Sequence, residues 1–350
     1  MKQKLLNSFT WRASLLVAFL CCAFTSAWAA DWEKDEVIAS DVSIDGGDSQ
    51  TFNLTITGYF IKIVVDCTPP STGNGKYCYV DASVFESQVI KNKKVSNDGV
   101  HTVEYTDPSK TYKKNGQISV KITGGGNKPT TVNSITVTYT PAAIIEINSA
   151  CKCQYDNLYY GTFSNSSPFV VPGNADFTVS EVSVSGGILD VNPLSGTQTV
   201  TIPANTGVLV SSANPGEKIV KLNDPAGSYT APSNNMLQPS SEPMTSIEDY
   251  SDYYFYHLTF DSNNPLGFYW GYPGGGAWEF SGTNKAYLAV PKTDSGYSAV
   301  KGFTLSDSAD GIKAIETEKN SEMVFNLAGQ RVSKMQKGIY VVNGKKILVK

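Results

Sequence analysis

From residue 37 onward nearly all of the chain reads either as apolar and polar positions alternating with a period of two or as short β-rich runs, broken by clusters of Gly, Pro, Asn and Asp. The run 51–59 is typical. Phe52, Leu54 and Ile56 alternate with Thr51, Asn53, Thr55 and Thr57, which gives a strand one apolar and one polar face. Further strand-like runs follow at 60–65, 77–85, 101–105, 117–122 and 134–139. A second series comprises 177–184, 188–191, 197–202, 207–211 and 217–222. After a polar stretch at 231–249 it resumes at 253–259, 266–270, 277–280 and 286–290. No long window carries the i, i+3, i+4, i+7 stripe of an amphipathic helix, and a single helical turn within 81–89 is the most the pattern allows.

These elements predict an all-β protein. Residues 37–140 form a first module, a jelly-roll-like or other β-sandwich, with turns at Asp45-Gly46-Gly47-Asp48 and Gly124-Gly125-Gly126-Asn127. Pro141 lacks an amide hydrogen and is expected to end the last strand of that module. Residues 142–305 form a second β-rich module, in which 231–249 is a surface excursion. Residues 306–321 are charged and poor in strand formers, and read as a linker. In the tail, 322–350, strands at 339–342 and 346–349 face each other across Asn343-Gly344, the dipeptide suited to a type I′ turn. An isolated hairpin is marginal in water, so it is expected to pair with 323–326, extend another sheet or dock on a partner.

The start of the chain changes where this protein is expected to work. Lys2, Lys4 and Arg12 precede the apolar run 13–24, and Ala27-Trp28-Ala29 supplies the small residues of a leader-peptidase site, so residues 1–30 read as a signal peptide. Removing them takes away three basic residues and no acidic ones. That leaves 25 basic against 32 acidic side chains and moves the net charge from −4 to −7. A surface of that sign argues against nucleic acid as a partner. No later stretch is long and apolar enough to predict a membrane-spanning helix.

Export also passes the chain through an oxidising compartment. A disulfide between Cys67 and Cys78 would close the short Pro-Pro-Ser-Thr-Gly-Asn-Gly loop between two strands. Cys151 and Cys153, two apart on one strand face, are awkwardly placed to bond each other. With His101 and His257 the only histidines and no ligand spacing, neither a metal nor a cofactor is predicted. The acidic turn Asp41, Asp45 and Asp48 also lacks the spacing of a calcium loop.

The tail carries the most specific pattern. Val324-Phe325-Asn326-Leu327-Ala328-Gly329-Gln330-Arg331-Val332, followed by Lys337-Gly338-Ile339-Tyr340-Val341-Val342-Asn343-Gly344-Lys345-Lys346, resembles the short C-terminal β module of secreted Bacteroidetes proteins. It is also similar to a minimal type IX secretion sorting domain. That resemblance implies a secreted or surface-attached protein whose residues 322–350 contact export machinery. Several pieces of the second module resemble a companion of such tails, among them Ile202-Pro203-Ala204-Asn205-Thr206-Gly207 and Asn284-Lys285-Ala286-Tyr287-Leu288.

Candidate chemistry is sparse. Acidic residues such as Asp81, Glu86, Glu104, Glu181, Asp249 and Asp261 sit in no motif, so a glycosidase carboxylate pair is an alternative without a signature. There is no Gly-x-Ser-x-Gly elbow and no phosphate-cradling loop with its lysine. Aromatic rings offer more. Tyr269, Trp270, Tyr272 and Trp278 surround a Gly-rich loop and could stack on a sugar or anchor a protein. The competing reading is that Trp270 and Trp278 fill a core. Tyr77, Tyr79, Tyr105 and Tyr112 of the first module form a second candidate platform. The expected function is non-catalytic binding of glycan or of an extracellular protein. The alternatives are a carbohydrate-active enzyme and a structural surface component.

Overall fold

The computed structural model describes residues 31–240, 253–260, 264–269, 284–291 and 300–305. It also describes the strand segments 312–316, 324–326, 338–342 and 345–349. Among these residues there is no helix, and the fold is all-β in antiparallel sheets. The turn of helix considered for 81–89 is instead the end of one strand, a two-residue turn and the start of the next.

The first seven strands are β1 (Lys34–Ile44), β2 (Ser49–Thr68), β3 (Tyr77–Val84), β4 (Ser87–Ser96), β5 (Thr102–Thr106), β6 (Tyr112–Gly124) and β7 (Thr130–Ile147). The two runs predicted at 51–59 and 60–65 are one strand, β2, that changes neighbours midway. Its first half pairs with β6, and its second half with β7 and β5. The exchange falls at Gly58, where a Cβ would lie 2.3 Å from the Thr140 carbonyl oxygen, so only glycine fits. One layer is thus β4-β3-β6 with the start of β2. The other is β5, the end of β2, β7 and β1. Alternating residues of both layers meet in one core: Val80, Ile118, Val120 and Ile122 with Ile63, Val65, Ile135 and Val137. Burying apolar area of this kind, at about 25 cal/mol per Å², is what holds two such layers together.

Pro141 does not end β7. It sits where the strand changes neighbours: the ladder with β1 stops at Tyr139, the ladder with β2 stops at Pro141, and the ladder with β14 (Gly216–Leu222) starts at Ala142. The absent N–H therefore falls at a junction of ladders rather than inside one.

Between β7 and β14 lie β8 (Tyr159–Phe163), β9 (Phe169–Val171), β10 (Phe177–Ser185), β11 (Ile188–Pro193), β12 (Val200–Ile202) and β13 (Val208–Ser212). Beyond β14 come β15 (Leu237–Ser240), β16 (Tyr253–Thr259), β17 (Gly267–Tyr269), β18 (Lys285–Pro291), β19 (Val300–Thr304) and β20 (Ile312–Glu316). Strands β14, β9 and β12 extend the first sheet from the end of β7, and the others form a second ten-stranded sheet. Strands β10 and β13, and the end of β8, are buried on both faces. Val179, Val208, Val210 and Phe163 pack with Ile145, Phe169 and Val220, whereas Val182, Val184 and Leu209 pack with Tyr256, Phe268, Leu288 and Phe303. The distant strands β8 and β18 of this sheet are stitched by side chains. Ser164 donates to the Lys285 carbonyl at 2.6 Å, and the Ala286 amide donates to the Thr162 hydroxyl at 3.1 Å.

The stretch read as a linker, 306–321, contains β20, which pairs with β19 and β11. In the tail, β21 (Val324–Asn326), β22 (Gly338–Val342) and β23 (Lys345–Val349) form a three-stranded sheet, so the hairpin pairs with 324–326.

Candidate functional site

The aromatic residues singled out from sequence scatter. Trp270, Tyr272 and Trp278 lie outside the described residues. Tyr269 is a core residue, 4% exposed, and its hydroxyl donates to the Pro265 carbonyl at 2.6 Å. Its ring occupies the space a Cβ on Gly302 would need, 2.5 Å away. Tyr269 thus fills the core, and a ring in that position presents no stacking face.

The four tyrosines of the first module occupy three places. Tyr105 stacks on buried Phe60, with centroids 6.2 Å apart and planes 14° from parallel. Tyr112 packs against Tyr59 at 5.2 Å, and the Lys221 ammonium lies 5.2 Å from the Tyr59 ring centroid. The Tyr112 hydroxyl is buried with no hydrogen-bond partner. Burial pushes its phenol pKa up, and the Glu217 carboxylate adds to the rise. Tyr77 and Tyr79 alone share a surface, the outer face of β3. Their centroids are 5.2 Å apart, and the Lys94 ammonium lies 4.5 Å from the Tyr77 ring centroid.

That outer face leads to a pocket the sequence did not announce. On the first half of β2 and on β3 and β6 the even-numbered residues point into the core, so Thr55, Ser83, Gln117 and Ser119 face out. Register places Thr55 opposite Gln117, and Ser119 between Asn53 and Ser83, which makes a continuous polar floor. This floor lines a pocket of about 420 Å³, whose walls are Phe85 and Glu86 on one side and Lys113, Asn115 and Gly116 on another.

Both walls depart from regular backbone. Val84 pairs with Ser87, so Phe85 and Glu86 form a two-residue turn, and both have positive φ, +50° and +71°. A turn with two positive φ angles favours Asn and Gly, and a bulky side chain there is uncommon. The Phe85 ring lies where a Cβ on Gly116 would come within 2.3 Å of it, and it meets Phe60 edge-on at 6.2 Å. The other wall is a β-bulge. Ile56 pairs with Gly116 and Gly58 with Lys113, so two residues, Lys114 and Asn115, oppose the single Thr57. Asn115 takes φ +51°, and its amide donates to the Thr57 hydroxyl at 3.1 Å.

Chemically the pocket offers three hydroxyls, two carboxamides, one amine, one carboxylate and an aromatic ring. Glycoside hydrolysis uses two carboxylates, and Glu86 is the one that lines this pocket. Asp81, two residues from Ser83, is engaged by Gln88 at 3.2 Å and the Asn92 amide at 2.8 Å. Among the described residues no three His, Cys, Asp or Glu side chains converge as a metal ion would need.

The cysteines lie elsewhere. Cys67 and Cys78 are fully buried with their sulfurs 3.3 Å apart. The hydrogen bond to Cys78 pushes the Cys67 thiol pKa up, and burial adds to it. Cys153 is buried and donates to the Leu305 carbonyl at 3.4 Å, and burial raises both it and half-buried Cys151. Among the described residues no helix is long and apolar enough to cross a membrane.

No protein-family model and no curated protein matches the chain. Among solved structures it is similar to dimeric latent PorU from Porphyromonas gingivalis, at 10% identity and a TM-score of 0.25, over 54% of this chain and 21% of that one. It is also similar to tripeptidyl peptidase 2, at 8% identity and a TM-score of 0.23, over 75% of this chain and 26% of that one. The chain thus spans between a fifth and about a quarter of the length of these proteins.

Proposed function

We propose that this chain is an exported, non-catalytic protein that binds glycan in the pocket on the outer face of β2, β3 and β6. The observation that carries the proposal is the concentration of backbone irregularity around a neutral hydrogen-bonding floor. Positive φ at Phe85 and Glu86 costs roughly 1–3 kcal/mol per residue, and strain of this kind gathers where a ligand is clamped. The floor of Thr55, Ser83, Gln117 and Ser119 suits sugar hydroxyls, which both donate and accept. Phe85 adds an apolar ring, and a volume of about 420 Å³ falls in the range of small-ligand sites. Supporting export are the leader-like residues 1–30 and the sorting-like residues 322–350.

The test is a glycan array with calorimetry on the folded chain, repeated with Gln117→Ala/Ser119→Ala. Both side chains face outward, so folding is preserved, and affinity should fall at least tenfold, about 1.4 kcal/mol. Retention of no sugar by the folded wild type, or equal affinity in the floor variant, defeats the proposal.

A further inference from the structure

We propose that Cys67 and Cys78 are joined by a disulfide in the exported protein, and that this bond staples the two layers of the first sandwich at the end carrying Tyr77 and Tyr79. It stands apart from the sugar proposal, since neither cysteine lines the pocket. Cys67 lies near the end of β2, opposite Val132 of β7, in the layer of β5, β7 and β1. Cys78 lies at the start of β3, between Val95 of β4 and Gly124 of β6, in the other layer. The two sulfurs meet at 3.3 Å across the shared core.

The surrounding backbone is built for a fixed end. The Cys67 amide donates to the His101 carbonyl at 3.1 Å, and the Gly125 amide donates to the Tyr77 carbonyl at 3.0 Å. The loop between the cysteines presses on the Gly124-Gly125-Gly126 turn. A Cβ on Gly75 would lie 2.5 Å from Gly126 backbone, and one on Gly125 would lie 2.6 Å from the Tyr77 ring. Cys78 sits between the two half-exposed tyrosines of the pair, so anchoring it anchors that pair.

Formation needs an oxidant, here a disulfide-bearing protein or small molecule of the exporting compartment. One cysteine thiolate attacks the oxidant's disulfide, forming a mixed disulfide and releasing one thiolate. The second cysteine attacks the mixed bond, forming Cys67–Cys78 and releasing the other. Two electrons and two protons pass to the oxidant, which leaves as a dithiol. Both sulfurs are fully buried in the folded chain, so the exchange takes place before the layers close.

The full chain, exported with its own leader, should be denatured in an alkylating reagent without reductant, digested and analysed by mass spectrometry. The expected product is a cross-linked pair of peptides containing Cys67 and Cys78, lighter by two hydrogens than the two thiol forms together. Alkyl adducts on both residues, or a bridge from either to Cys151 or Cys153, overturn the proposal. Closing a loop of this size predicts that Cys67→Ala/Cys78→Ala melts about 5 °C below the oxidised wild type. Equal melting temperatures would remove the stapling role. If the variant does not fold, the peptide map still decides whether the bond exists.

Discussion

The first sandwich and the region after β7 place the aromatic side chains singled out from sequence differently. Among the described residues after β7 many rings are interior, although Tyr155, Tyr253 and Phe260 stand exposed. Tyr256, Phe268 and Phe303 are almost fully buried in one cluster, Phe163 and Phe169 meet edge-on in another, and Tyr269 has its hydroxyl spent on Pro265. In the first sandwich Tyr77 and Tyr79 remain half-exposed on an outer face, and Phe85 borders a pocket. Aromatic density in the sequence therefore measures core volume as readily as it measures a binding surface. What separates the strands at the centre of each region is whether a strand has one buried face or two. Strands β10 and β13 have two, which leaves them no outer face for a site, whereas β2, β3 and β6 keep a polar outer face along much of their length.

The harshest test of this contrast is Phe268→Ala. Removing a fully buried ring should cost about 3–5 kcal/mol, read as a large fall in the denaturation midpoint. Sugar binding by whatever fraction stays folded should be unchanged. Binding lost in proportion beyond the folded fraction would place the site in the second region after all.

Gly116→Ala comes next, because it acts on the pocket wall itself. The new methyl would lie 2.3 Å from the Phe85 ring and 2.7 Å from the Lys113 side chain, so the ring must move. Overpacking of this kind costs about 1–3 kcal/mol. Calorimetry should show at least a tenfold loss of affinity alongside it. A neutral result would mean that Phe85 is not held in place by its neighbours.

Tyr269→Phe should lower stability by about 1 kcal/mol, the net worth of one hydrogen bond, and leave sugar affinity untouched. A selective loss of affinity would restore the tyrosine to a binding role.

Much of the fold could be read from alternation, and the reasons for the exceptions are physical. Phe52, Leu54 and Ile56 announce β2 because the strand has one buried face. Strand β4 escapes the pattern. It is an edge strand carrying Lys91, Lys93 and Lys94, and charge on an edge discourages pairing with other chains while making the segment resemble a loop. Pro141 misleads because the rule about its missing donor presumes a continuous ladder. The pocket was illegible for a different reason. Its floor combines strands that are neighbours in space but not in sequence, and its walls are a bulge and a turn whose φ angles no residue pattern advertises. The one available signal was Phe85-Glu86 itself, a bulky pair between two strands where a tight hairpin would favour Asn and Gly.

That pair gives the smallest and most discriminating test. Glu86 adopts φ +71° with its side chain exposed, so nothing in the packing repays the backbone cost. Asn tolerates this conformation better than Glu, since its short amide bonds locally. Glu86→Asn should therefore raise stability by about 0.5–1 kcal/mol in thermal or denaturant melts. If the carboxylate faces a bound sugar, the same substitution should weaken affinity by about threefold, a trade expected where strain serves a site. A gain in stability with affinity unchanged would make the turn a structural accident and leave the polar floor alone to carry recognition. A loss of stability would mean that Glu86 makes a favourable contact offsetting its φ, and would undercut strain as the mark distinguishing the first sandwich from the region after β7.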